Sequence, residues 1–430
     1  MDPTTQRLMM ASNNKQPFLG SLFYFGNIGD ILFIRGFDLD SNGNAYICAF
    51  TANTNSSSLN RVILIKLRCG ISGAVVEWAK SIVTAGDELY ADVAVSSDDA
   101  SIYVVGYLSS SAALTKYNSS GTLQWSRYLQ GARNAYQSVT VDSAGDVYIT
   151  GHVIKSGDTE NNVFIAKYNS SGTIQWQKYE QYYDASFDSY GTSIASVPSS
   201  GGFVITGYVQ QGGLVPDILV TKFSTAGNVV WKRTISTVPG DEYGESIGID
   251  SAGDVYVLGS TNGQGAGSDD MYLIKLGGAT GNTSWQRSLG SASSESGRKL
   301  HVDPSTGDCY IVGVATSLVI IAKYNSSGTL QWQRSVSTIY SLNSAFGISL
   351  GPDKMLYLLL GSGGQGVYIL RIDSDGNGIF LTTTNYTNSV RTLSNASNTI
   401  VGGVTTFTEA SASGLITEAD ENVSINGTGS

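Results

Sequence analysis

The decapeptide KYNSSGT(L/I)QW occurs three times, beginning at Lys116, Lys167 and Lys323. Looser copies begin at Lys66, Lys222 and Lys275, and a degenerate one begins at Arg371. All six tryptophans of the chain close this unit: Trp78, Trp125, Trp176, Trp231, Trp285 and Trp332. Successive ones stand 47 to 55 residues apart, and Phe380 falls in the same frame 48 residues after the last. A second unit alternates with the first. VTVDSAGDVYITG from Val139 and IGIDSAGDVYVLG from Ile247 are nearly identical, and eight versions can be counted, the first around Asp38 to Ala49 and the last around Ser389 to Gly403. Two units in fixed order over most of 430 residues require a tandem architecture.

Each repeat resolves into four short apolar-alternating segments, A (VTVD), B (DVYITG), C (VFIAKYN) and D (TIQWQKY). The A–B joint is Asp-Ser-x-Gly and the C–D joint Asn-Ser-Ser-Gly. Gly supplies the positive φ of a tight turn, and Asp, Asn and Ser bond back to the local backbone. No amphipathic helix longer than a turn or two can be placed. Four antiparallel strands per repeat of about fifty residues predict an all-β chain folded as a single β-propeller.

Phe23 lies 16 residues before Leu39, the spacing that separates Trp125 from Val141, so the chain starts with a lone D strand. It ends with an A and a B strand (SVRTLSNASNTIVGGVTTF), and GLITEAD from Gly414 reads as a weak C strand. The count predicts eight blades, the last shared between the termini, which hides two sheet edges; seven blades with surplus terminal strands is the alternative. Residues 1–18 are then an arm, 19–407 the propeller, and 408–430 a tail with one strand to add to the closing blade. Phe23, the six tryptophans and Phe380 are predicted to be interblade core.

The repeats resemble the bacterial and phage β-propeller repeats labelled SBBP, whose usual form is similar to SIAVDSSGNVYVTGY…IAKYNSSGTLQWQR, over roughly residues 19 to 407. Chains of this type without an export signal look like tail-associated proteins of marine phage virions, and exported members are bacterial surface proteins. The resemblance thus implies a virion structural protein that contacts other virion proteins and a host glycan or protein. Ala166, Asn169, Gly172 and Trp176 also resemble the tryptophan-docking spacing of the eight-bladed quinoproteins. That likeness carries no cofactor over, because the chain has no vicinal cysteine pair.

Composition narrows the function classes. A net charge of -10 without any basic run disfavours nucleic acid as a partner. Cys48, Cys69 and Cys309 are odd in number and scattered, unlike a disulfide framework or a zinc site. The first eighteen residues lack the basic and apolar regions of a signal peptide, and no apolar run is long enough to span a membrane.

Few residues suggest chemistry. Gly244-Glu245-Ser246-Ile247-Gly248 matches the G-x-S-x-G nucleophile elbow, but here it opens an A strand, whereas the elbow needs a strand-to-helix turn. A general base is scarce, with His152 and His301 the two histidines. No catalytic residue, cofactor or metal is expected. Asp38, Asp40 and Asn42, and again Asp373, Asp375 and Asn377, match half an EF-hand loop and are weak calcium candidates. Both lack the closing Glu, and turn chemistry explains them. His152 stands where Tyr107 and Tyr208 stand in other copies. The Lys that recurs before Tyr117, Tyr168 and Tyr324 reads as a stem lying over the neighbouring blade.

The A–B and C–D turns are short and uniform, while the B–C and D–A connections, which emerge together on the opposite face, vary greatly. Binding residues concentrate on loops held by a rigid scaffold. Among D–A loops, EQYYDASFDSYG from Glu180 is the longest and most aromatic, so Tyr182, Tyr183 and Phe187 are the candidate contact residues. In an acidic, sparsely charged molecule such contacts are expected to rest on aromatic and hydrogen-bonding groups, with limited dependence on salt.

Overall fold

A computed structural model describes residues 22–25, 30–53, 61–70, 73–83, 88–108, 111–129, 134–154, 159–182, 187–198, 201–211, 215–237, 240–263, 268–316, 318–336, 342–362, 366–377, 381–383, 387–390, 401–403, 409–411 and 417–420. They form seven antiparallel sheets, each ordered A-B-C-D. Blade 1 has strands Asp30–Leu39, Ala45–Asn53, Arg61–Gly70 and Gly73–Val83. Blade 2 runs from Glu88 to Leu129, blade 3 from Asn134 to Gln181, blade 4 from Phe187 to Ile235, blade 5 from Glu242 to Gly290 and blade 6 from Glu295 to Val336. Blade 7 contributes Leu342–Leu350, Met355–Ser362 and Gly366–Asp373.

The B and C strands are buried on both faces, as in Val255–Thr261 and Asp270–Leu276 of blade 5. Each is sandwiched between the neighbouring blades, so these strands read as nearly continuous apolar runs. Seven hydrophobic clusters result among the described residues, one at each blade-to-blade interface. The A strands pack side by side around the centre, and that of blade 7 meets that of blade 1 to complete the ring.

Seven blades, the alternative in the strand count, replace the expected eight. The lone N-terminal strand Leu22–Phe25 pairs with the C strand of blade 7, with Phe23 opposite Ile369. Phe23 is therefore in the D strand of the seventh blade and does not sit beside residues 389–407 as expected. Once that edge is filled, the chain beyond Gly376 cannot add a strand there. The segment after Phe380, read as the D strand of the seventh unit, and those read as an eighth blade instead pair one by one with the outer D strands of other blades. Leu381–Thr383 joins blade 6 and Thr387–Val390 joins blade 5. Val401–Gly403 joins blade 3, Glu409–Ser411 blade 2 and Thr417–Asp420 blade 1. The C-terminal segment thus runs backwards around the rim as a girdle, and its last strand caps blade 1 rather than the closing blade. Phe380 lies outside the described residues.

The tryptophans join the blades. Each indole Nε1 donates to a carbonyl in the C–D turn of the next blade: Trp78 to Ser119, Trp125 to Ser170, Trp176 to Thr225, Trp231 to Gly278, Trp285 to Ser326 and Trp332 to Ser374, at 3.0–3.3 Å. Beneath each indole lies the turn glycine of that next blade, from Gly121 to Gly376, at positive φ. A Cβ there would stand 2.6–3.0 Å from the ring. The glycine thus serves both the turn and the close approach. A cation two residues after the tryptophan bonds the same turn, as in Arg127 Nε to the Gly172 carbonyl (2.8 Å) and Arg287 Nε to the Gly328 carbonyl (2.7 Å).

The recurring C-strand lysine acts chiefly within its own blade, a departure from the expected reach over the neighbour. Its ammonium lies over the B-strand tyrosine ring, as Lys167 over Tyr148 (5.2 Å) and Lys275 over Tyr256 (4.8 Å). Turn carboxylates hold it there, Asp146 for Lys167 and Asp308 for Lys323. Lys116, Lys222 and Lys275 also reach carbonyls of the next blade.

Candidate binding site

Every A strand carries a β-bulge at one equivalent position, an extra residue that pairs with nothing on the B strand. The residues so displaced are Arg35, Ala91, Gln137, Thr192, Glu245, Arg298 and Phe346. A bulge re-aims the side chain it carries, and all seven line one cavity of about 1220 Å³ at the mouth of the central channel. Its walls also include Tyr107 and His152 from B strands, Asn161 from a C strand, and Asn343 and Ser344 of blade 7. This bowl opens on the face that carries the variable B–C and D–A connections, most of which lie outside the described residues. Seven structurally equivalent positions therefore hold seven side chains that differ widely in size and charge.

In blades 2 to 5 the residue after the bulge bonds its neighbour blade below the bowl. Ser246 Oγ accepts from Leu300 N (3.2 Å), Ser193 Oγ accepts from Ile247 N (3.3 Å), and Asp92 accepts from Ser138 Oγ (2.7 Å) and Val139 N (3.2 Å). Ser246 of the elbow-like motif is thus a buried interblade acceptor on a strand. Blade 6 places Lys299 at this level, where its charge acts on Asp92, Glu245 and Cys48. Burial raises the pKa of Glu245 against the pull of Arg298 and Lys299, and raises that of Asp92 against Lys299.

From the rim an aromatic row crosses blades 3 to 5. His152 meets Tyr190 at 5.0 Å, Tyr190 stacks on Tyr208 at 4.7 Å, and Tyr208 meets Tyr243 edge-on at 5.0 Å. These rings are half-buried. Burial keeps His152 below the usual imidazole range and pushes Tyr208 up to about 12. Asn161 Nδ2 donates to the Tyr190 hydroxyl (2.8 Å) and to Asp188 (2.9 Å). Tyr190 and Tyr243 both pack against Tyr208 but keep part of their surface open.

The contact candidates fall elsewhere. Tyr182 is 0% exposed, its hydroxyl bonded to Thr221 Oγ1 (2.5 Å) and its ring under the Lys232 ammonium at 3.5 Å. Burial brings Lys232 down to about 8, with Glu180 opposing the shift. Tyr182 departs from the repeat frame because it packs with this equally unrepeated pair, so it is core and not a contact residue. Phe187 is half-buried against the cluster between blades 3 and 4. Tyr183 lies outside the described residues.

The calcium candidates are occupied by turn chemistry. Asp40 Oδ1 accepts from the amides of Asn42 (3.0 Å) and Asn44 (2.8 Å), while Asp38 turns away to accept from Leu39 N and Val95 N, both at 2.8 Å. Asp373 accepts from the amides of Asp375 (3.0 Å) and Asn377 (2.7 Å). The bulge residues were not legible in the sequence, because neighbouring positions of the A unit vary between copies as well.

Seven blades about a channel define a β-propeller. The family described as SBBP, a beta-propeller repeat, matches residues 230–265, a stretch containing Trp231, Glu245 and Ser246. Among curated proteins, no sequence matches the chain. Among solved structures, hydrazine synthase of Kuenenia stuttgartiensis is similar at 14% identity, over 80% of this chain and 96% of that one, with a TM-score of 0.51. The β-propeller domain of the trilobed protease from Pyrococcus furiosus is 8% identical over 83% and 96% of the two chains (TM-score 0.46), and the Dos1 propeller 10% identical over 83% and 95% (TM-score 0.46). At such identities the likeness concerns the fold.

Proposed function

We propose that the chain is a non-enzymatic binding propeller, a tail-associated structural protein of a phage virion that meets a host surface through its variable face. The observation that carries the binding role is the ring of seven bulges, which turns side chains of six kinds into one bowl on a scaffold otherwise built by repetition. A repeated ring diversifies locally where each position has its own contact to make. The virion setting is supported by the resemblance of the repeats to phage propellers. The non-enzymatic reading is supported by the fate of the candidate groups: Ser246 is buried and bonded to backbone, and burial holds His301 down to about 4. Among the described residues no cluster of three metal-ligating side chains forms.

Mass spectrometry of purified virions tests the setting, and the chain is expected in the particle. Ala91→Trp with Gln137→Trp should fill the bowl and weaken host adsorption while particles still assemble. A chain absent from virions overturns the virion role. Adsorption unchanged by the filled bowl overturns the binding face.

A further inference from the structure

We propose that the bowl recognises an acidic glycan, its anionic group held between the arginines of blades 1 and 6. This rests on the reading of the bowl as the binding face. The chain carries a net charge of -10, and many of its described cations are engaged within a blade or with the next one. Lys66, Lys167, Lys275, Lys323 and Arg371 pair with carboxylates, and Arg127, Arg233, Arg287 and Arg334 bond carbonyls of the next blade.

Arg35, Arg298 and Lys299 differ. They gather at the bowl, Arg35 and Arg298 exposed, and none forms an ion pair among the described residues. Arg35 rests 5.6 Å above the Phe50 ring, which orients it without neutralising it. Glu245 lines the same space beside Arg298 and Lys299, and burial raises its pKa and that of Asp92. Two guanidinium forks flanking Phe346, Asn343 and Ser344 of blade 7 suit a planar carboxylate or a sulfate.

The facing wall is neutral and of a different kind. Gln137 and Asn161 offer amides, and His152 begins the half-open aromatic row. A sugar presents C–H groups on its faces and hydroxyls at its edge, which aromatic rings and amides match. The volume of about 1220 Å³ exceeds that of a typical small-molecule cleft, and so leaves space for several sugar units. Contact through these cations should be salt-dependent, unlike the contacts expected from composition.

An array of neutral, uronic-acid and sulfated glycans tests this with the intact protein. Acidic glycans should be retained and neutral ones not. Arg35→Gln with Arg298→Gln, both exposed positions, should weaken the retained interaction by about ten-fold or more. Added salt should weaken it as well. Retention of neutral glycans alone, no retention of acidic ones, or indifference to the double variant overturns the proposal. Host adsorption that is blocked by the tryptophan-filled bowl but unaffected by the arginine variant would overturn the acidic ligand and leave the binding face standing. Acidic peptides bound in place of acidic glycans would do the same.

Discussion

A single glycine-over-indole contact, repeated six times, carries the joint between neighbouring blades. Between blades 4 and 5 the indole is buried, Trp231 being 7% exposed, and a Cβ on Gly281 would stand 2.6 Å from the ring. Truncation of Trp231 to Ala removes a packed indole and one of the two donors to the Gly278 carbonyl, Lys222 being the other, and a loss of roughly 3–5 kcal/mol is expected. Gly281→Ala should also destabilise, by about 1 kcal/mol or more, because its φ of 68° disfavours a side chain and the indole must shift. Urea unfolding of both variants checks this; a stable Gly281→Ala would mean that the indole does not depend on that approach. The tryptophan frame and its glycine were both legible in the sequence, since a repeated turn displays its own requirements. Tyr182 was not. Its departure from the frame looked like freedom to bind, whereas burial beside Lys232 and Glu180 was the cause.

At the scale of strands, two segments outside the complete repeats do different work. Leu22–Phe25 supplies the outer strand of blade 7, while the five C-terminal strands lie outside sheets that already have four. Removal of residues 1–26 should therefore expose the edge of Gly366–Asp373 and open the ring, with loss of cooperative unfolding and a tendency to associate through that edge. Removal of residues 384–430 should leave a closed, folded ring of somewhat lower stability. Thermal unfolding and size-exclusion chromatography distinguish the two. If the C-terminal deletion opened the ring and the N-terminal one did not, the closure described above would be wrong. The strand count in the sequence was correct in kind but could not say which edge each terminal strand would take, because backbone pairing lets a short extended segment join any open edge.

For the molecule as a whole, burial in the ring shifts several carboxyl groups and both histidines. Burial raises Asp38 to about 7 and also raises Asp92, Glu180, Glu242 and Glu245, while it lowers His152 and takes His301 down to about 4. A raised carboxyl binds its proton more tightly in the folded state. Its contribution to stability is full below the unfolded value near 3.8 and is lost as pH rises through the folded one. The histidines act in the opposite sense, losing stability as pH falls from 6.5. Asp38 by itself favours pH 5 over pH 8, against the opposite pull of the histidines. Asp38→Asn should remove that preference, lowering stability at pH 5 relative to pH 8 by an amount on the order of a few kcal/mol or less. Denaturant unfolding across this range measures it, and an unchanged slope in the variant would remove Asp38 as its source.

The sequence by itself determined the blade: four strands, two turn types, and an indole that needs a glycine opposite, because these are local requirements renewed about every fifty residues. Only the tertiary structure decided the number of blades, since closure depends on which open edge the terminal strands reach. It also made the bowl. Arg35 and Arg298 are far apart in the chain, and each looks unremarkable within its own repeat. The closed ring sets blades 1 and 6 on either side of blade 7, and their bulges turn both guanidinium groups into the same space.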